Sequence, residues 1–154
     1  MLKTLQKLLP LYIGAALGPL GGFGVVTLLP VLAQDWSVDF GTASLAITFY
    51  MAPFIIIQIF SGAIAQLFDT RKVLFFGFGT YALVLVSMVL ITSLPYSFMT
   101  YFILFLILGT GAATAWTSLN TMAVQISSSM RKPVTSVYNA TKFTGYGLAR
   151  LFSR

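Results

Sequence analysis

The segment Gly62-Ala63-Ile64-Ala65-Gln66-Leu67-Phe68-Asp69-Thr70-Arg71-Lys72-Val73-Leu74 sets one acid and two adjacent bases between two long uncharged stretches. Before it, no charge occurs from Phe40 to Phe68; after it, none occurs from Val73 to Met130. A helix needs about 20 mostly apolar residues to cross about 30 Å of hydrocarbon. The first stretch is therefore one crossing. The second is long enough for two, with Ser93-Leu94-Pro95-Tyr96-Ser97 as the turn between them. A third uncharged interval, Leu8 to Gln34, precedes both. The pattern predicts an all-α integral membrane protein with four clear transmembrane helices and a partial fifth. The helices are expected at about 8–33, 41–67, 73–93 and 98–125, with the partial one at 134–154, in one bundle over residues 1–154.

Composition narrows the class further. Hydrophobic residues make up 58% of the 154 positions and charged residues 8%, against roughly 25% charge in a soluble domain. The net charge of +6 is gathered in short clusters at the ends of apolar runs, which is topology chemistry and not a nucleic-acid surface. There is no cysteine and no histidine, so disulfides, thiolate chemistry and the usual transition-metal sites are excluded. No cofactor or metal is expected. The chain also lacks glutamate and has no aspartate inside a span, which leaves an enzyme almost no acid, base or nucleophile. Lys3 and Lys7 precede an apolar run that continues through Val25-Val26-Thr27-Leu28-Leu29, longer than the 7–15 residues of a signal-peptide core. The first helix is read as a retained span.

Positive charge falls before the first span (Lys3, Lys7), between the second and third (Arg71, Lys72) and after the fourth (Arg131, Lys132). These are alternate loops, and the opposite ones hold Asp35 and Asp39 or no charge. The positive-inside rule then places the amino terminus in the cytoplasm of a multi-pass protein of the cell membrane. Trp36 and Tyr96 fall at the outer interface. In the first span Gly14, Gly18 and Gly22 share one face at four-residue spacing, which favours close helix packing, and Pro19 predicts a kink or hinge. Gly109 and Gly111 open a similar small-residue cluster in the fourth. Asp35, Ser37 and Asp39 alternate oxygens as in a calcium loop, but Asp39 before Phe40-Gly41-Thr42 reads better as a helix cap. The tail from Pro133 is interrupted by Lys142, Arg150 and Arg154, so it should line a polar cavity or lie at the interface.

The 62–74 loop resembles the cytoplasmic loop signature of the major facilitator superfamily, joining its second and third helices. Gly62, Ala65, Arg71 and Lys72 match, and Gln58 shortly before the glycine resembles the family's second helix. Gln66 stands at the usual acidic position, Leu67 and Thr70 at basic ones, and Asp69 at the turn glycine. Gln66 keeps hydrogen bonding without charge, and Asp69 offers a carboxylate from the next turn. Two features of the family's proton-coupled exporters are not kept. Phe105 stands where their arginine would be, and Arg150 where their fifth-helix proline would be. The resemblance implies the amino-terminal portion, roughly helices one to five, of a secondary transporter that moves a small organic solute by alternating access, inactive without its remaining helices. A self-associating small multi-span protein, acting as a channel or assembly partner, is the alternative.

The expected partners are thus the lipid bilayer, a small-molecule substrate in the full-length protein, and either the missing helices or a second copy. The first and fourth helices line the cavity in the family, which directs attention to Trp116 and Asn120; Tyr50 and Gln58 complete the candidate cavity. Thr27 and Thr117 are further polar residues at depth. No Asp, Glu, Lys, Arg or His lies inside the four spans, so any charge needed for coupling must come from elsewhere.

Overall fold

The computed structural model describes residues 8–60, 63–64, 67–91, 98–125 and 131–151. Among them are five long helices: α1 (Leu9–Asp35), α2 (Phe40–Ile59), α3 (Thr70–Ile91), α4 (Phe98–Gln125) and α5 (Arg131–Leu151). Gly62, Gln66 and the turn at 93–97 with Tyr96 lie outside the described residues. Among the described residues three helical stretches are long and apolar enough to cross a membrane: Phe40–Ile59, Thr70–Ile91 and Met99–Gln125. In α1 the apolar stretches Leu9–Gly18 and Gly24–Asp35 are shorter, although the helix is 27 residues long and runs unbroken through position 19. Beyond α2 the helical ladder resumes for a turn, the Ile64 N–H donating to Phe60 O and the Phe68 N–H to Ile64 O. The sequence pattern predicts a second helix to residue 67, whereas α2 ends at Ile59, and beyond it helix is described only at 63–64 and 67.

Side chains rather than propensity arrange the helices. α4 is the central one: it packs between α2 and α3, while α5 lies mainly along α1. Small residues allow these approaches. A methyl group built on Gly109 would overlap the Tyr50 carbonyl oxygen of α2 and stand 2.9 Å from Pro53 Cγ. One on Gly145 of α5 would overlap the Ala16 carbonyl of α1. Such backbone-to-backbone contact is how apolar helices associate where water supplies no driving force. Pro53 lies inside α2 and removes the N–H that would bond the Phe49 carbonyl. It is a kink position that the sequence reading passed over.

Two apolar clusters result. One joins Val25 and Leu29 of α1, Ala46 and Tyr50 of α2, Val84 of α3 and Phe102, Phe105 and Leu108 of α4. The other joins Leu11, Tyr12 and Ala15 of α1, Leu119 and Ala123 of α4, and Val134 and Tyr138 of α5. Near the α1–α2 turn, Trp36 packs on Tyr101 and edge-on to Phe102, with centroids 5.1 and 5.9 Å apart, and Phe49 stacks on Phe102 at 5.0 Å. The outer faces are apolar too: Phe75, Leu83 and Val89 of α3 are 77, 67 and 70% exposed. Such a surface suits lipid, not water.

The turns are closed by side chains and one left-handed residue. The Ser37 N–H donates to Gln34 O and the Val38 N–H to Ala33 O, the paired bonds of a Schellman motif. Ser37 takes the left-handed position, φ 52°, normally given to glycine. Asp39 then caps α2, its carboxylate accepting from the Thr42 N–H at 3.0 Å and from the Thr42 hydroxyl. Hydrogen bonds from the Thr42 side chain, then its backbone, hold the Asp39 carboxyl below its usual range. Asp69 caps α3 in the same manner, accepting from the N–H groups of Arg71 at 2.8 Å and Lys72 at 3.3 Å.

Candidate functional site

Most polar side chains at depth are satisfied within their own helix. On α4 the hydroxyls of Thr110, Thr114, Ser118 and Thr121 donate to carbonyls three or four residues earlier, and Thr27 of α1 donates to Gly24 O at 2.9 Å. Such back-bonding spends the hydroxyl's single donor and leaves only its acceptor lone pairs. Thr117 differs: its buried oxygen has no hydrogen-bond partner. What remains on α4 is one face carrying Trp116 and Asn120, one helical turn apart.

That face meets α5. Lys142 Nζ donates to Asn120 Oδ1 at 3.1 Å. It also sits 4.6 Å from the Trp116 ring centroid and 4.5 Å from that of Tyr138. An ammonium only donates, so the Asn120 amide must present its oxygen here. At 1.5 Å per residue Lys142 is about 16 Å along α5 from Arg131, near the middle of the helix. Placing a lysine at the centre of a membrane helix costs about 2.5–3.5 kcal/mol on insertion scales. A hydrogen bond to a charged group returns about 1.5–3 kcal/mol, and a cation–π contact about 0.5–2. The two sides are comparable, so these neutral partners would offset that cost were α5 to span the bilayer. Tyr138 is 2% exposed, with its hydroxyl buried and unpartnered.

Trp116 is placed by glycine. A methyl group on Gly18 of α1 would overlap the Trp116 ring, so the indole lies against bare backbone. On one side it lines a narrow apolar cleft with Gly14, Gly18, Phe78, Tyr81 and Leu119. On the other it borders an open, shallow groove with Phe54, Ile55, Gln58 and Ile59 of α2. The structure thus brings together three of the four expected cavity residues: Gln58 and Trp116 share the groove, and Asn120 lies beside Trp116. Tyr50 is buried on the same helix as Gln58, against Gly22, where a Cβ would lie 3.7 Å from its ring, and belongs to the packed core.

The loop residues form a separate place. Asp69 and Arg71 line an open recess with Phe68, Thr70, Met122 and Gln125; Arg71 and Lys72 are exposed. The sequence reading missed Lys142 and Tyr138 as site residues. Their signal was a four-residue spacing that puts them on one helix face, continued by Gly145 three residues on. Among the described residues no group of acids or other ligands could hold a metal ion.

Residues 11–154 match the family model described as Major Facilitator Superfamily. No curated protein and no solved structure matches the chain.

Proposed function

The chain belongs to the major facilitator superfamily, and we propose that it supplies helices one to five of a secondary transporter moving a small organic solute by alternating access. In this reading α1 is a fourth span beside the three apolar helices, and α5 is a fifth, carried into the bilayer by its contact with α1. The observation that carries the reading is the position of Trp116. It lies where α1, α4 and α5 converge, and it faces an open groove with Gln58. An apolar wall with a few convergent polar groups is the make-up of a solute site. The groove is open on one side, as half a cavity would be. Alone, such a bundle has no second gate, and the chain by itself is inactive.

Orientation is argued from charge. Arg71, Lys72 and Lys132 lie by the helix ends at residues 70 and 131, with Asp35 and Asp39 by the turn at 36–39. The proposal places the basic end and the amino terminus in the cytoplasm. The test is the coding DNA beyond Arg154, read in all three frames, together with the oligomeric state of the purified chain. Further span-encoding sequence supports the transporter reading. Its absence, with a stable oligomer of this chain, overturns that reading in favour of a self-associating membrane protein.

A further inference from the structure

We propose that Lys142 is the recognition cation for an organic anion, a carboxylate held at Nζ with its apolar body against Trp116. The inference deepens the transporter reading by naming the substrate class, and it rests on that reading for the transport step after binding.

The charge inventory carries it. The chain holds three carboxylates, Asp35, Asp39 and Asp69, and all are exposed at helix ends. Asp39 and Asp69 already accept hydrogen bonds as caps. Lys142 lies midway along α5, which the transporter reading places in the bilayer, and its partners are an amide oxygen and two aromatic faces. All three are neutral. An ammonium has three donors, and Asn120 engages one of them. The cation is therefore held in place but not neutralised by any acid of this chain, and in a low-dielectric setting an anion gains most from such a charge. The Tyr138 hydroxyl, buried without a partner on the residue one turn before Lys142, is a second unspent donor. Trp116 links this charge to the apolar groove it shares with Phe54, Ile55 and Gln58, where the rest of the molecule would lie.

The same geometry admits a rival, in which Trp116, Tyr138 and Asn120 form a cage for a substrate cation and Lys142 is its placeholder. Cation–π cages do bind ammonium groups. A cationic substrate would have to displace a tethered ammonium and then share the pocket with it, which like-charge repulsion opposes.

The test uses the purified chain in detergent micelles with Trp36→Phe, which leaves Trp116 as the single tryptophan. Benzoate, benzyl alcohol and benzylammonium are titrated while Trp116 emission is read. The expected result is saturable binding of benzoate, at least about tenfold tighter than benzyl alcohol, and no binding of benzylammonium. Lys142→Gln weakens benzoate at least about tenfold, and Lys142→Arg retains it. Should Lys142→Gln fail to fold, Asn120→Asp decides the matter: it supplies an internal counter-ion to Lys142 and abolishes benzoate binding in a folded chain. Preferred binding of benzylammonium, undiminished benzoate binding in folded Lys142→Gln or Asn120→Asp, or no saturable benzoate binding overturns the inference. Benzoate binding by a chain that forms a stable oligomer and has no further span-encoding DNA would sink the transporter reading and leave the anion site. Span-encoding DNA with no benzoate binding would do the reverse.

Discussion

Replacing Gly109 by alanine puts one methyl group into the seam between α2 and α4. The new Cβ would overlap the Tyr50 carbonyl oxygen and lie 2.9 Å from both the Tyr50 carbonyl carbon and Pro53 Cγ. Ordinary contact between carbon atoms is about 3.5–4.0 Å. The obstructing atoms are backbone and a proline ring, which cannot rotate aside, so relief requires the two helices to part. Overpacking of a tight core typically costs about 1–3 kcal/mol, and a rigid obstacle puts Gly109→Ala at the upper end, about 2–3. Gly24→Ala is the matched control, because nothing stands within 4 Å of its Cβ; it should change stability by no more than about 0.5 kcal/mol. Both variants are compared by reversible unfolding in mixed micelles with increasing dodecyl sulfate, followed by helical circular dichroism. If Gly109→Ala unfolds within about 0.5 kcal/mol of Gly24→Ala, the close α2–α4 approach is wrong.

Three further outcomes rest on named contacts. Gly18→Ala meets the Trp116 ring, a side chain that can swing; the expected cost is only about 1 kcal/mol, but Trp116 leaves Lys142 and, with Trp36→Phe in place, its emission maximum shifts, whereas unchanged emission would refute the seating. Ser37→Gly relieves a left-handed serine and should stabilise the chain by about 1 kcal/mol in the same unfolding assay. Because hydrogen bonds lower the Asp39 carboxyl, its cap is fully formed above the ordinary aspartate range and is lost as pH falls through the lowered value. The protection factor of the Thr42 amide, relative to its intrinsic exchange rate, should fall through that acid window in the wild type and show no such titration in Asp39→Asn, which still caps.

The sequence is most readable where charge is absent. The uncharged stretches after Phe40 and Val73 correspond to α2, α3 and α4 because a bilayer imposes length and apolarity together. Asp39 is legible as a cap because capping is local and needs only the residues just after it. Ser37 reads as a member of an acidic loop, although its part is to close α1 in a left-handed turn; serine carries no signature for that conformation. Lys142 is harder. In the sequence it interrupts an apolar pattern, and only the packing of α5 along α1 reveals that it reaches Asn120 and Trp116. Tertiary contacts of this kind have no local signal. Nor can sequence separate Thr27, which bonds its own backbone, from Asn120, which bonds another helix.

The proposed site depends most on α5 lying inside the bundle with Lys142 against α4. The absence of native cysteine allows that contact to be measured directly, by cross-linking Asn120→Cys with Lys142→Cys in membranes using a short bifunctional maleimide and locating the bond by mass spectrometry. Asn120→Cys with Lys132→Cys is the control, about 15 Å away along α5. The expected result is an efficient link within one chain for the 120–142 pair and none for the control; linkage of the control pair alone, or only between chains, would contradict the placement of α5.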